Sequence, residues 1–289
     1  MSAVEARKGA PAEASAASDI LPTPPLASVG ERALRVLIPV AMLALFITAW
    51  QTYVVVYNVP HYILPTPLRV AQALSTDWPI LGRALVVTLK ITFSALGLAL
   101  VGGVALAILM AQSRWAELAL YPYAVTLQVT PIVAIAPLII IYAPTTNVAL
   151  LICAFLVAFF PVLSNTAQGL RSTDHNLLNL FELYGANRWQ MLIHLKIPNA
   201  LPYFLAGLRI AGGLALIAAV VAEFAAGSAG AGSGLAFRLL ESQFRLNIPR
   251  LYAALVLLSF TGILIFFATS TISWFLLRKW HESAVRREN

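Results

Sequence analysis

The sequence predicts an all-α polytopic membrane protein with about six transmembrane helices, and three observations carry that prediction. Hydrophobic residues make up 60% of the 289 positions, charged ones only 11%, and the mean hydropathy is +0.83. A water-facing domain carries about a quarter charged residues, so this composition cannot cover a soluble surface. Apolar runs at 36–57, 84–111, 119–143, 146–168, 200–226 and 251–277 each reach the roughly twenty residues that cross a hydrocarbon core of about 30 Å as a helix. The runs are continuously apolar and lack the alternation of a lipid-facing strand, which argues against a barrel.

Taken in order, residues 1–35 are expected to form a disordered cytoplasmic tail. Up to about Ser28 they are rich in Ala, Pro, Ser and Glu and almost without aromatics, so they bury too little apolar surface to offset their ordering entropy. The transmembrane body is expected to span 36–278, and 279–289 to form a second cytoplasmic tail. The first apolar run is longer than the roughly 7–15 residues of a signal h-region, so it reads as a span and not as a cleaved leader. Pro131 and Pro137 in the third run and Pro161 in the fourth each remove a backbone hydrogen bond and kink a helix, for packing or for lining a pore. Gly97, Gly102, Gly103, Gly207, Gly212 and Gly213 permit close helix approach. The stretch 227–234, GSAGAGSG, reads as a flexible turn before a short outer helix holding Phe237, Leu240 and Phe244. It lacks the Lys-Ser/Thr of a phosphate-cradling loop.

Charge sets the orientation. Arg7, Lys8, Arg32, Arg35, Arg114, Arg171, Arg188, Lys196, Arg278, Lys279, Arg286 and Arg287 fall on one side, against Arg69, Arg83, Arg238, Arg245 and Arg250 on the other. By the positive-inside rule both termini and the 169–198 loop are expected in the cytoplasm. The net charge of +7 then reflects topology and attraction to anionic lipid. No single basic face suits a nucleic acid. Cys153 is the lone cysteine, and His61, His175, His194 and His281 show no ligand spacing, so neither a disulfide nor a metal or cofactor is expected.

The loop Gly169–Pro198, GLRSTDHNLLNLFELYGANRWQMLIHLKIP, is far longer than a turn between spans needs. Ser172, Thr173 and Asp174 offer N-cap oxygens, and Leu177, Leu180, Phe181 and Tyr184 then follow at helical spacing. Gly185 suits a left-handed C′ position. Asn187 can cap a second short helix, Arg188 to about Lys196, carrying Trp189, Leu192 and Ile193. Pro198 fits the first turn of the next span. Such a unit either lies on the headgroups or inserts aromatic and aliphatic anchors in a groove of a soluble partner.

At this point the residues resemble a family. Gly185-Ala186-Asn187 with Pro198 thirteen residues after the glycine is similar to the cytoplasmic coupling signature of ABC-importer permeases, written Glu-Ala-Ala, three residues, Gly, about nine residues, Ile-x-Leu-Pro. GANRWQMLIHLKIPNALPYFLAGLRIAGGLALIAAVVAEF, ILPTPLRV at 63–70, AEFAAGSAGAGSGLAFRL and RKWHES resemble the nitrate/sulfonate/taurine-type branch over roughly residues 40–282. Where the signature has Glu-Ala-Ala this chain has Asn179-Leu180-Phe181, with the acid three places later at Glu182. That departure bears on a salt bridge to the ATPase, not on the backbone geometry.

The resemblance implies a type I ABC-importer permease in the bacterial inner membrane, without enzymatic activity of its own. Two copies, or this chain with a close relative, form the pathway, each holding one subunit of a cytoplasmic ABC ATPase dimer, and an extracytoplasmic solute-binding protein delivers substrate. It assigns ATPase coupling to Leu180, Phe181, Glu182, Tyr184, Gly185, Ala186, Asn187, Trp189 and Pro198. The branch handles nitrate, sulfonates, taurine, bicarbonate and vitamin or pyrimidine precursors, and a small anion is the expected solute.

Few ionisable residues fall within the spans, and each is a functional candidate. Lys90, in the first turns of the second run, can snorkel outward. Arg209 lies roughly 16 Å along the fifth helix from Pro198, near mid-bilayer, and Glu223 roughly 21 Å further, at the outer boundary. All three are pathway candidates, with a structural ion pair the competing reading for Arg209. An ion-coupled secondary transporter is the alternative, but it would normally need a relay of carboxylates in the spans, and only Glu223 is present. An intramembrane enzyme would cluster Asp, His or Ser at one depth, and a pure scaffold would leave Arg209 unexplained.

Overall fold

The structure, a computed structural model, describes residues 29–227 and 232–278. Every element described is helical: α1 Val29–Val56, α2 Pro67–Thr76, α3 Trp78–Gln112, α4 Arg114–Val129, α5 Ile132–Tyr142, α6 Thr146–Arg171, α7 His175–Leu183, α8 Arg188–Met191, α9 Ile197–Ala226, α10 Leu235–Phe244 and α11 Ile248–Leu277. The first part of α1, to Phe46, belongs to a small unit of its own, and the larger body begins at Ile47. Most of the expected tails lies outside the described residues, but 29–35 are already helical.

Among the described residues, five helices or helix runs are long and apolar enough to cross a membrane, namely α1, α3, α6, the α8–α9 run and α11. The third expected span is different. Residues 119–143 are not one straight helix: α4 and α5 meet at a bend of 101°. Pro131 stands as the N-cap of α5, so its ring and missing N–H fall where the helix stops instead of kinking it. Whether the pair counts as a sixth span or a re-entrant turn, the sequence run is the same.

The core is built around α6, which packs along α9 and α3. Small residues allow those crossings. A Cβ on Gly169 would lie 2.8 Å from the Ala200 Cα, and one on Gly207 would lie 2.8 Å from the Pro161 carbonyl oxygen. The α6–α9 contact is therefore backbone against backbone, as small residues permit in helix pairs within membranes. Gly97 and Gly213, by contrast, face open space. Cys153 sits fully buried among Ala154, Ala219 and Ala222, a small apolar residue in use.

The short helices α2 and α10 cap the opposite end from α7. Val70 of α2 and Leu235 of α10 share an apolar cluster with Leu81, Ala254 and Leu258. Arg250 at the start of α11 closes this corner by donating from Nε and Nη2 to both oxygens of Asp77, at 2.7 and 2.6 Å. Such a two-pronged pair fixes direction as well as distance.

Candidate coupling surface and pathway residues

The loop between α6 and α9 is tied down at its base. Ser172 Oγ donates to the Gly169 carbonyl at 3.0 Å, and Asn199 Nδ2 of α9 donates to Ser172 Oγ at 3.1 Å. Arg171 pairs with Glu117 of α4 at 2.5 Å. The last turn of α6 is thus joined to the first turns of α4 and α9.

Beyond that base the unit projects. Asp174 caps α7, its Oδ1 accepting from the Asn176 N–H at 2.8 Å. Among the described residues the helix has no buried residue and no extensive packing against any other helix. It ends in a two-bond corner: the Gly185 N–H donates to the Glu182 carbonyl and the Ala186 N–H to that of Phe181. Gly185 has φ +68°, the left-handed conformation this corner needs at its C′ residue. Asn187 and Gln190 then cap α8 reciprocally, each side chain accepting the other's backbone N–H at 2.8 Å.

The residues assigned to coupling divide by exposure. Leu180, Tyr184 and Trp189 are exposed, Tyr184 at 83%, while Phe181 and Ala186 are half-buried. Glu182 is exposed and makes no ion pair among the described residues. Leu183, 85% exposed, has no place in the sequence-derived stripe. It lies one position off the 177–180–184 spacing, and only the sparse packing around α7 reveals that it is exposed.

α8 does not stop before the membrane. Arg188 to Ala226 run as one continuous helix, with a single π-helical turn over Leu192–Lys196. Pro198 at the start of α9 explains that turn. It has no N–H for the His194 carbonyl, and its ring would crowd that oxygen in an α register. The i→i−5 bond from the Ile197 N–H to the Leu192 carbonyl widens the helix there. The last part of the loop, α8, and the helix α9 are therefore one rod.

The three ionisable pathway candidates occupy different surroundings. Arg209 is exposed on α9 and has no hydrogen-bond or ion-pair partner among the described residues. Lys90 is likewise exposed and unpaired, and borders a cavity of about 310 Å³ together with Ser94, Asn147 and Gly232. Glu223 is only 2% exposed. Its Oε1 accepts from Thr88 Oγ1 at 2.8 Å and its Oε2 from the Ala236 N–H at 2.9 Å. Thr88 Oγ1 in turn accepts from the Leu235 N–H at 2.9 Å. The carboxylate thus caps the start of the next helix, α10, and ties it to Thr88 of α3, where the preceding Gly234 leaves room. A Cβ on Gly234 would overlap the Glu223 carboxylate.

Comparison with known proteins agrees with this architecture. The family described as "Binding-protein-dependent transport system inner membrane component" matches residues 103–287. The formylaminopyrimidine transport permease protein ThiX of Halalkalibacterium halodurans is 31% identical over 86% of this chain and 97% of its own length. The riboflavin transport system permease protein RibX of Chloroflexus aurantiacus is 33% identical, covering 85% and 90%. The putative aliphatic sulfonates transport permease protein SsuC of Bacillus subtilis is 30% identical, covering 76% and 79%. In fold, the chain resembles the crystal structure of an amino acid ABC transporter with histidines, at 17% identity and a TM-score of 0.59, over 72% of this chain and 97% of that one. A multi-pass helical body, a projecting helix pair between spans and a match over most of the chain converge: this protein belongs to the binding-protein-dependent inner-membrane components, the permease subunits of ABC importers.

Proposed function

We propose that two copies of this chain enclose a pathway for a small solute, with both termini and the α7–α8 unit in the cytoplasm. A separate ABC ATPase dimer binds that unit, and an extracytoplasmic binding protein delivers the solute to the other side. The observation that carries this reading is α7: an amphipathic helix, capped and cornered, that has no buried residue and no extensive packing against another helix among the described residues. The continuous rod from α8 into α9 gives ATPase movement a direct route to Arg209. For that movement to drive transport, the ATPase must bind one conformation of the spans better than the other, since equal affinity shifts no equilibrium.

Arg209 supports a pathway on the exposed face of α9. An unpaired guanidinium at that depth is too costly against hydrocarbon, so it faces a wet cavity or the second copy. With Lys90 it offers positive charge and N–H donors, which suit an anionic or carbonyl-rich solute. Sulfonates fit through charge, and pyrimidine-like or flavin-like compounds through their ring carbonyls. Arg209→Ala is expected to reduce ATP-driven uptake at least about tenfold, roughly 1.4 kcal/mol in transition-state terms, while the assembled complex purifies as before. Loss of assembly instead would make Arg209 a pairing residue between copies.

The reading as a whole is tested by mild-detergent purification of the tagged chain from its native membrane. A nucleotide-hydrolysing subunit should accompany it and be lost on changing Gly185. Recovery of the chain alone, stable and active in ion-driven uptake, would overturn the proposal.

A further inference from the structure

Two cavities line up along one groove between α3 and α6. The upper one has Lys90, Ser94 and Asn147 at its mouth. The lower one, of about 380 Å³, is walled by Leu98, Val101, Gly102, Ile152 and Phe155, and the two share Leu151. The mouth is therefore polar, while the trough below it offers hydrocarbon alone. Leu98 and Val101 are 52% and 73% exposed, so no other part of the chain covers them. Gly102 keeps the floor of the trough open by contributing no side chain to it.

The groove is as deep as one leaflet. α3 ends at Gln112, and from there back to Lys90 the helix rises roughly 33 Å at about 1.5 Å per residue. That is close to the roughly 30 Å of a hydrocarbon core, so Lys90 stands at its edge, on the side of α2 and α10. From Lys90 down to Val101 the rise is roughly 16 Å, about half of the core. Lys90, Ser94 and Asn147 make no hydrogen bond or ion pair among the described residues. The described acids on this side are already engaged: Asp77 by Arg250, Glu241 by Arg238 and Arg245, and Glu223 by Thr88 and the Ala236 N–H. The ammonium is left without a counter-charge where the trough meets the headgroups.

We propose that this groove holds one anionic phospholipid, with its phosphate at Lys90, Ser94 and Asn147 and one acyl chain in the trough. The phosphate oxygens accept from the Lys90 ammonium, the Ser94 hydroxyl and the Asn147 amide, and bonds to an ionised group are the strong ones. Asn147 lies in the first turn of α6, whose positive end favours the same charge. Below, the acyl chain lies along Leu98, Val101, Ile152 and Phe155 and supplies the close contacts that an open groove forfeits. The trough decides between this occupant and a small solute. Positive charge at Lys90 suits either, but a small solute has nothing to lay along an apolar wall one leaflet deep. Snorkelling of the lysine alone accounts for its depth and leaves the groove beneath it unexplained.

The test is native mass spectrometry of the protein, purified with its native partners in mild detergent and titrated with phosphatidylglycerol or with phosphatidylcholine of the same acyl chains. One phosphatidylglycerol per copy is expected to bind at least about fivefold more tightly than phosphatidylcholine, the effect of one lysine at a lipid headgroup. Lys90→Gln should abolish that preference and Lys90→Arg should keep it, with helical content unchanged because the side chain is exposed. Gly102→Leu should weaken both lipids alike by filling the trough. Its Cβ would meet the Phe159 and Phe155 rings at 3.6 and 3.8 Å, which is ordinary contact. Equal binding of the two lipids by the unaltered protein overturns the proposal, and so does a preference that survives Lys90→Gln. A Lys90→Gln variant that keeps its lipid but needs about fivefold more solute for half-maximal uptake overturns it in favour of the solute. A disulfide between copies at Leu98→Cys overturns it in favour of the second copy.

Discussion

Gly185→Val is expected to uncouple transport without unfolding the membrane body. A Cβ at this position meets nothing within 4 Å, so the penalty is one of backbone conformation and not of collision. An L-residue in the left-handed region costs about 1–2 kcal/mol, and a β-branched one more. The corner is closed by two hydrogen bonds, each contributing about 1 kcal/mol net. α7 has no buried residue to hold it in place if those bonds go. The penalty therefore matches the stabilisation, and α7 swings away from α8. ATP-driven uptake should fall at least about tenfold, with insertion and the melting temperature unchanged. Gly185→Asn should stay near the original, because asparagine tolerates positive φ. Normal uptake by the valine variant would remove α7 and its corner from the coupling path.

The second large effect is expected at the outer corner, where Glu223 and Gly234 occupy one another's space. Glu223→Ala would leave the Thr88 hydroxyl and the Ala236 N–H without their acceptor in a buried site. Each orphaned group costs about 1–3 kcal/mol, and together they should free α10 from α3. Gly234→Ala should do the same from the other side, since its methyl group would displace the carboxylate. Hydrogen exchange over 235–244 is expected to accelerate at least about tenfold in both variants, as each 1.4 kcal/mol of lost protection dictates. Unchanged protection in Glu223→Ala together with impaired transport would return Glu223 to the pathway.

Much of this molecule is legible in the chain, because its physics is local or one-dimensional. Five of the six apolar runs appear as helices near the expected limits, since length and hydropathy alone decide what can cross a bilayer. The caps Asp174 and Asn187 and the left-handed Gly185 also lie where the sequence places them. Each acts on a backbone group within a few residues. Leu246, at φ +53° just beyond α10, was not legible. Nothing in FRLNIP marks a corner, and a leucine at positive φ contradicts the preference on which such a reading depends. Leu183 was missed for a different reason, because its exposure depends on what α7 does not touch.

The sequence by itself determined the helical membrane class, the caps of the 169–198 loop and the family, since composition, periodicity and local hydrogen bonding need no partner from elsewhere in the chain. Only the tertiary structure decided that residues 119–143 bend through 101°, that α8 and α9 form one rod through a π-helical turn, and what Glu223 bonds to. Each of these turns on which groups meet across space. Glu223 and Thr88 stand 135 residues apart. A carboxylate in an apolar run looks the same in sequence whether it faces a solute or bonds a distant hydroxyl, and folding alone brings Thr88 to it.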